Sequence, residues 1–195
     1  NAEGGKGSSE IGGAVYGGND DADNSGTLQY IRLEYTGFAF DEEHEANGIS
    51  FYGVGNGTIV DHCQAYKGSD DGFEFFGGSV NVSNLVAVSC SDDSFDWTEG
   101  WNGKGTNLVA YQEAESTLGY DCDCLMECDN NGSNNAATPV AHPVLKNLIL
   151  VGNGGSKQGI RLRAGTEVEI DNAKVCGKGQ PLTVETALKI GRASC

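Results

Sequence analysis

The stretch Asp70-Asp71-Gly72-Phe73-Glu74-Phe75 recurs later in the chain as Asp92-Asp93-Ser94-Phe95-Asp96-Trp97. Subtracting 73 from 95 gives an offset of 22 residues, and the same offset places Leu85 on Cys63. Self-similarity at a fixed period of about 20 to 50 residues indicates a solenoid, a propeller or an array of repeats. This repeat therefore decides the fold.

Weaker copies of the unit flank this pair. Each combines a short β-like run, a turn and a second run with alternating apolar and polar residues, as expected for half-buried strands. The second runs lie at 48–51, 126–128, 160–162 and, in the last unit, 188–190. A single unit cannot bury its apolar side, whereas about six stacked units share one continuous core. The sequence predicts an all-β, right-handed parallel β-helix of about six coils, with a cysteine-containing loop insertion around Cys122.

Other architectures fit the period less well. A propeller blade needs about 40 residues and four strands, and a β-sandwich does not produce near-identical segments at this spacing. The 195 residues suffice for one core, so we expect a single β-helix domain over residues 1–195. Because residue 1 is Asn and no signal segment is visible, we expect a processed chain or a fragment of a longer protein.

The charge of the chain restricts its partners. Asp and Glu total 28 against 12 Lys and Arg, which gives a formal net charge of -16. Such a surface repels phosphate backbones, so we expect no nucleic-acid partner, and it attracts cations. The longest apolar runs, such as 148–151, are far shorter than the roughly 20 residues of a membrane span, so we expect none.

Three strings carry a resemblance to a known family. They are Gly53-Val54-Gly55-Asn56-Gly57-Thr58, the segment 70–78 that begins with Asp70-Asp71-Gly72, and the segment 92–101 that ends with Glu99-Gly100-Trp101. They resemble a family of secreted bacterial proteins, often lipoproteins, that are similar to pectate-lyase-type right-handed β-helices. The resemblance covers most of the chain and implies an extracellular or outer-surface location on a bacterium. The cysteine-rich insertion departs from the family pattern.

One column of the predicted sheet is acidic. Aligning the second strands places Ser50, Glu74, Asp96, Glu127 and Arg161 over one another. Their aromatic neighbours point the other way, because side chains alternate along a strand, so we expect the aromatics in the core and the charged column exposed. Carboxylates stacked about 4.8 Å apart repel one another, which raises a pKa or requires a cation between them.

Acidic turns precede these strands and extend the column. Oxygen donors on neighbouring coils suit Ca²⁺, which takes about six to eight of them. The candidate ligands are Asp70, Asp71, Glu74, Asp92, Asp93, Asp96 and Glu127. In the alternative interpretation the paired aspartates cap backbone amides and the glutamates face solvent.

Two further sets of residues are candidates for ligand binding or catalysis. Trp101, Tyr111 and Tyr120 are candidates for stacking on glycans, and packing under loops is the alternative. Arg161 and Arg163 share a strand face. In polysaccharide lyases with this fold, an Arg or Lys removes the proton beside a uronate carboxylate, whereas a salt-bridge role is the alternative. No catalytic signature string is visible.

The seven cysteines fit an oxidising compartment. Around Cys122, Cys124 and Cys128 we expect disulfides rather than a zinc site completed by Cys90, because the spacing lacks a C-x2-C pair. Cys176 is expected to pair with Cys195, and Cys63 to be a buried thiol.

The turns between sheets contain Asn-Gly pairs. We expect Asn56, Asn102, Asn131 and Asn153 to hold a left-handed backbone and to bond their neighbours along the stack.

These observations predict a non-enzymatic, extracellular or cell-surface module that binds divalent cations and also glycans. Strand edges at the coil ends favour self-association. The alternative function is a Ca²⁺-dependent polysaccharide lyase or hydrolase acting on acidic polysaccharides, with Arg161 or Arg163 as the catalytic residue.

Overall fold

The computed structural model describes residues 6–39 and 45–185. These residues form sixteen strands and one short helix. The elements are β1 (Lys6–Ser8), β2 (Val15–Gly17), β3 (Thr27–Gln29), β4 (Arg32–Glu34), β5 (Ile49–Tyr52), β6 (Ile59–Asp61), β7 (Gln64–Tyr66), β8 (Phe73–Phe76), β9 (Val82–Val88), β10 (Phe95–Thr98), β11 (Lys104–Tyr111), α1 (Glu115–Leu118), β12 (Met126–Cys128), β13 (Val144–Val151), β14 (Gln158–Leu162), β15 (Glu169–Cys176) and β16 (Gln180–Val184).

Two parallel sheets stack the coils. The column sheet has the order β16-β14-β12-β10-β8-β5 and takes one strand from each coil, which confirms the prediction of about six coils. The long sheet has the order β15-β13-β11-β9-β6-β3. In addition, β7 pairs with β9, and β4 pairs with β7. β1 and β2 form an antiparallel hairpin. No helix in the described part of the chain is long and apolar enough to cross a membrane.

The register reproduces the sequence repeat. Phe95 pairs with Phe73, and their rings stack with centroids 5.5 Å apart. Both rings are buried, and they belong to one core cluster that also contains Leu85 and Leu108 of the long sheet. Burying a side chain of this size stabilises the fold by roughly 1.5–3 kcal/mol. Like residues of successive coils therefore lie over one another, as the repeat predicts.

The last strand of the column sheet differs from its prediction. β16 (Gln180–Val184) pairs with β14, so the sixth copy of the second run lies at these residues and not at 188–190, which fall outside the described residues.

An asparagine ladder runs along the long sheet. Asn84, Asn107, Asn147 and Asn172 all have a left-handed backbone, with φ between 55° and 59°. The amides of Asn107, Asn147 and Asn172 each donate to the side-chain oxygen of the preceding ladder member at 2.8–3.0 Å. The kind of ladder is as predicted but its positions are not, because none of the four asparagines named from sequence has a left-handed backbone. Two of those four do bond a neighbouring coil, since Asn131 donates to Glu99 and Asn153 to Asp121, both at 2.8 Å.

The loops that lead into the column strands vary in length. We call the segments 35–48, 67–72, 89–94, 112–125 and 152–157 the lead-in loops. They precede β5, β8, β10, β12 and β14 in turn, so all of them enter at the same corner of the coil. The longest described one, 112–125, contains α1, Cys122 and Cys124.

Candidate metal centre

The acidic column is formed by the register of the column sheet. Backbone pairing joins Ser50 to Glu74, Glu74 to Asp96, Asp96 to Glu127 and Glu127 to Arg161. Carboxylates far apart in sequence are therefore direct neighbours on the outward face. This confirms the alignment of the column that the repeat predicts.

The column is not exposed, and that expectation was wrong. Glu74 is 7% exposed, and the other four members of the column are half-buried. The physical reason is that residues outside the repeat cover the outward face. Asn47 of a lead-in loop donates from Nδ2 to Glu74 Oε2 at 2.5 Å and to Ser50 Oγ at 3.0 Å.

The N-terminal hairpin lies over the same end of the column. The ring of Tyr16 in β2 lies 5.2 Å from the ring of Tyr52 in β5. Asn47 Nδ2 is also within 3.4 Å of Glu10 Oε2, which follows β1. Burial raises the pKa of Tyr16, and nearby acidic groups raise it further.

Among the described residues, only carboxylates line the cavity at this end of the column. It has a volume of about 200 Å³. Its lining residues are Glu10, Glu45, Asp70, Asp71, Glu74, Asp92 and Asp96. Five of the seven predicted cation ligands therefore surround one cavity, and Glu10 and Glu45 join them.

Four overlapping donor groups run along the coil axis, and within each group the donor atoms lie within 4.8 Å of one another. The groups are Asp70, Asp71 and Asp92; Asp71, Glu74 and Asp96; Asp93, Asp96 and Glu127; and Asp93, Asp123 and Cys124. Asp71, Asp96 and Asp93 each belong to two groups. All seven predicted ligands are thus linked in one continuous array.

Amide capping accounts for part of this array. Asp71 Oδ1 accepts from the Asp93 amide at 2.8 Å, and Asp93 Oδ1 accepts from the Cys124 amide at 2.6 Å. Each aspartate thereby uses one oxygen to hold the next coil, as the alternative interpretation expects. Asp96 differs, because its Oδ1 is buried and has no hydrogen-bond partner. Amide capping therefore does not explain Asp96.

Burial and mutual repulsion perturb the ionisation of these groups. Burial raises the pKa of Asp70 to about 7, with Glu45 and Asp92 adding to the effect. Burial also raises the pKa values of Asp71 and Glu74 well above their usual range, and the neighbouring carboxylates contribute in the same direction. The array is thus unfavourable as a set of free anions and needs protons or cations.

Arginines compensate the charge at the C-terminal end of the column. Glu127 contacts both Arg161, at 2.9 Å between Nη1 and Oε1, and Arg163 Nη2. Arg163 Nε also lies 2.7 Å from Asp129 Oδ1, and Arg161 Nη2 lies 2.8 Å from Glu185 Oε1. Although burial acts in the opposite direction, these carboxylates raise the pKa of both arginines. Both side chains thus act as salt-bridge partners here.

The three aromatic residues predicted to bind glycans lie in different environments. Trp101 is 1% exposed and stacks 4.1 Å from Phe75 in the core, so its ring cannot reach a sugar, and that prediction was wrong. Tyr120 is half-buried and donates to the Ser89 carbonyl oxygen at 2.7 Å. Tyr111 is exposed at the end of β11.

The cysteines differ from the prediction. Free thiols are present at Cys63, Cys90, Cys122, Cys124 and Cys128, and all are buried, so the disulfides expected around the 112–125 loop are not formed. The prediction for Cys63 is confirmed. Cys176 is exposed, and its predicted partner Cys195 lies outside the described residues.

Sequence reasoning missed the residues that close the cavity. Glu10, Glu45 and Asn47 belong to segments without a counterpart in the 22-residue repeat. Asp123 lies in the 112–125 loop, where its Oδ2 contacts Lys157 Nζ at 2.5 Å. A usable signal was the acidic character of the insertion that ends at Glu45, because it precedes a column strand.

A family model described as "Pectate-lyase like beta helix domain" matches residues 1–193. No curated protein and no solved structure matches the chain.

Proposed function

The chain belongs to the pectate-lyase-like β-helix domain family, and from this premise we propose that it is a non-enzymatic, extracellular or cell-surface module that binds divalent cations in its acidic cavity. The preferred ion is Ca²⁺. The observation that carries the proposal is a cavity whose seven lining residues are all Asp or Glu. Domains of this type are often extracellular, which supports the location.

The donor chemistry favours a hard cation. Asp71, Glu74 and Asp96 bring carboxylate oxygens within 4.8 Å of one another, and none of them has a salt bridge to a described Lys or Arg. Ca²⁺ accepts about six to eight oxygens in flexible geometry. Asp96, with one buried oxygen lacking a partner, is the central ligand of this group.

A bound cation would also offset the repulsion among the ionised carboxylates of the array. Without one, the raised pKa values mean that some carboxyl groups keep their protons near neutral pH. A divalent ion replaces those protons, and binding is therefore coupled to proton release.

The lyase alternative is less well supported. Proton abstraction by arginine requires a deprotonated guanidinium, whereas Arg161 and Arg163 are each held by two carboxylates that raise their pKa. Incubation with polygalacturonate, followed by the ultraviolet absorbance of unsaturated products, tests it directly. Turnover that disappears in Arg161→Ala would overturn the non-enzymatic proposal.

Isothermal titration of chelator-treated protein with Ca²⁺ tests cation binding. We expect saturable binding with a Kd of about 10⁻³ M or smaller, which means an affinity at least as high as that of the weakest extracellular Ca²⁺ modules. Proton release should accompany it, seen as heats that depend on the ionisation enthalpy of the buffer. Absence of saturable binding up to several millimolar Ca²⁺ contradicts the proposal.

A matched pair of variants assigns the site. Glu74→Gln removes one carboxylate charge from the cavity, and Asp171→Asn removes one from an exposed position on β15 that pairs with Lys146. We expect Glu74→Gln to weaken Ca²⁺ binding more than tenfold and Asp171→Asn to leave it unchanged. Equal losses would show that general charge attraction, rather than the cavity, holds the ion.

Self-association through the coil ends stays a prediction. Sedimentation velocity over a series of protein concentrations tests it.

A further inference from the structure

A second surface with ligand-binding character lies on the long sheet, around β4 and β7. Tyr30 and Tyr35 flank β4 and are 77% and 69% exposed. Tyr66 lies at the end of β7, where it pairs with Glu34 on the outward face. A contiguous exposed aromatic patch on a sheet face marks a candidate interaction site.

The backbone at these tyrosines is costly for the fold. Tyr30 and His62 occupy the first two positions of the column that continues as the asparagine ladder, and both have a left-handed backbone. Tyr35 and Lys67 repeat this conformation at the other end of β4 and β7. Asparagine adopts it far more readily than bulky residues do. Backbone preference therefore does not explain tyrosine at these two positions, and backbone outliers of this kind point to function.

Neighbouring side chains hold the rings in place. The Tyr30 ring stacks on His62 with centroids 4.9 Å apart, and Tyr35 meets the Tyr66 ring edge-on at 5.8 Å. The Arg32 guanidinium lies 4.6 Å from the centre of the Tyr66 ring. Supported rings lose little conformational freedom when a ligand binds, which favours affinity.

Polar groups lie between the two tyrosines, and their charges are paired. Arg32 donates to Gln64 Oε1 at 2.8 Å and to Glu34. Lys67 pairs with Glu113 at 2.7 Å, and His62 lies 2.9 Å from Asp61. In a chain of net charge -16, this surface pairs Glu34 and Glu113 with cations, and its Asp61 accepts hydrogen bonds from Ser83 and Asn84. It therefore suits an uncharged ligand.

We propose that the outward face of β4 and β7 binds a neutral oligosaccharide chain laid along the strand from Tyr30 to Tyr35. The C–H faces of the sugars stack on the two tyrosine rings, and their hydroxyls bond Gln64, Glu34 and Arg32. Five residues at about 3.3 Å each span at most roughly 16 Å, a length that a short oligosaccharide covers. This site belongs to a different sheet from the acidic cavity and does not depend on cation binding.

Native affinity electrophoresis in the presence of chelator tests the proposal. The gels contain galactomannan, xyloglucan or hydroxyethylcellulose as neutral probes, and polygalacturonate as the acidic counterpart. We expect retardation by at least one neutral polysaccharide and none by polygalacturonate. The variants Tyr30→Asn and Tyr35→Asn remove the rings but suit the left-handed backbone, so the melting temperature should stay the same or rise.

Each variant should weaken binding at least tenfold, whereas Ile149→Ser should have no effect. Ile149 is an exposed apolar residue on the same sheet, three coils beyond Gln64. Retardation by none of the neutral polysaccharides, retardation by polygalacturonate alone, or an equal loss in Ile149→Ser would overturn the proposal. None of these results bears on the Ca²⁺ titration, so the two proposals fail separately.

Discussion

The acidic column has an N-terminal half, with Glu74 and Asp96, and a C-terminal half, with Glu127. Both halves contain carboxylates, but the neighbours of these carboxylates differ. In the C-terminal half, Arg161 and Arg163 surround Glu127. In the N-terminal half, Glu74 and Asp96 lie in a cavity lined by other carboxylates. The first arrangement neutralises charge within the protein, whereas the second leaves the neutralising partner to come from solution. If the proposed function is right, the carboxylate ladder stabilises the fold in one half and binds a cation in the other.

The largest expected effect is the response of the N-terminal half to Ca²⁺. Ca²⁺ at 100 times its Kd stabilises the folded state by about 2.7 kcal/mol. At about 2–4 °C per kcal/mol for a chain of this size, the melting temperature rises by about 5–10 °C. Asp96→Asn should abolish most of this rise, because it removes the ligand shared by two donor groups.

Asp129→Asn is the control in the C-terminal half, since Asp129 is paired with Arg163. It should keep the full Ca²⁺-induced rise in differential scanning calorimetry. An undiminished rise in Asp96→Asn would remove the distinction between the halves.

The pH dependence of stability should report on the buried carboxylates of the N-terminal half. Burial raises the pKa of Asp70 to about 7 and the pKa values of Asp71 and Glu74 in the same direction. Because the folded state then binds more protons than the unfolded state, stability falls as pH rises from about 4 to 7. We expect chelated protein to show this fall in urea denaturation, and Ca²⁺ to reduce it. A chelated protein whose stability increases over this range would contradict the assignment.

Removing an arginine should destabilise the C-terminal half of the column. Arg163→Gln leaves Glu127 with Arg161 alone and Asp129 without its contact to the Arg163 guanidinium. Since these groups are partly exposed, we expect a loss of about 1–2 kcal/mol in urea denaturation. Lys146→Gln removes an exposed pair with Asp171 and should cost less than about 0.5 kcal/mol. Matching losses would mean that the arginine contacts are ordinary surface pairs.

The smallest change in stability should come from giving the N-terminal half an arginine like those of the C-terminal half. Ser50 pairs with Glu74 in the column, so Ser50→Arg supplies the cation that the N-terminal half lacks. At pH 7 in chelator we expect a gain of up to about 1 kcal/mol in the free energy of unfolding, and a weaker Ca²⁺ response. Ser50→Gln, of similar length but uncharged, should change neither. A Ca²⁺ response that is unchanged in Ser50→Arg counts against local charge as the cause.

The strand positions were predictable because one repeat fixes them. The 22-residue offset between Phe73 and Phe95 gave the register, and alternation gave the buried and outward faces. Trp101 lies in the turn after β10, where alternation gives no guidance, and its indole N–H turns inward to the Val80 carbonyl at 3.2 Å.

Contacts made by segments outside the repeat were not predictable in this way. The burial of Glu74 depends on Asn47 and on the N-terminal hairpin, for which the repeat supplies no register. Tyr30 and Tyr35 were missed because their coil is a weak copy, with an offset of 32 residues between Leu28 and Val60. The cysteine count suggested disulfides, whereas Cys128 pairs with Trp97 in register and points into the core.

The lead-in loops differ in length, yet the strands that follow them keep the register of the column sheet. Six residues connect β9 to β10, and fourteen, counted as 112–125, connect β11 to β12. Insertions at this corner can therefore accumulate during evolution while the carboxylates beneath stay in place. If the cavity binds a cation as proposed, grafting different lead-in loops at this corner offers a route to altering access to the carboxylates without rebuilding the coil.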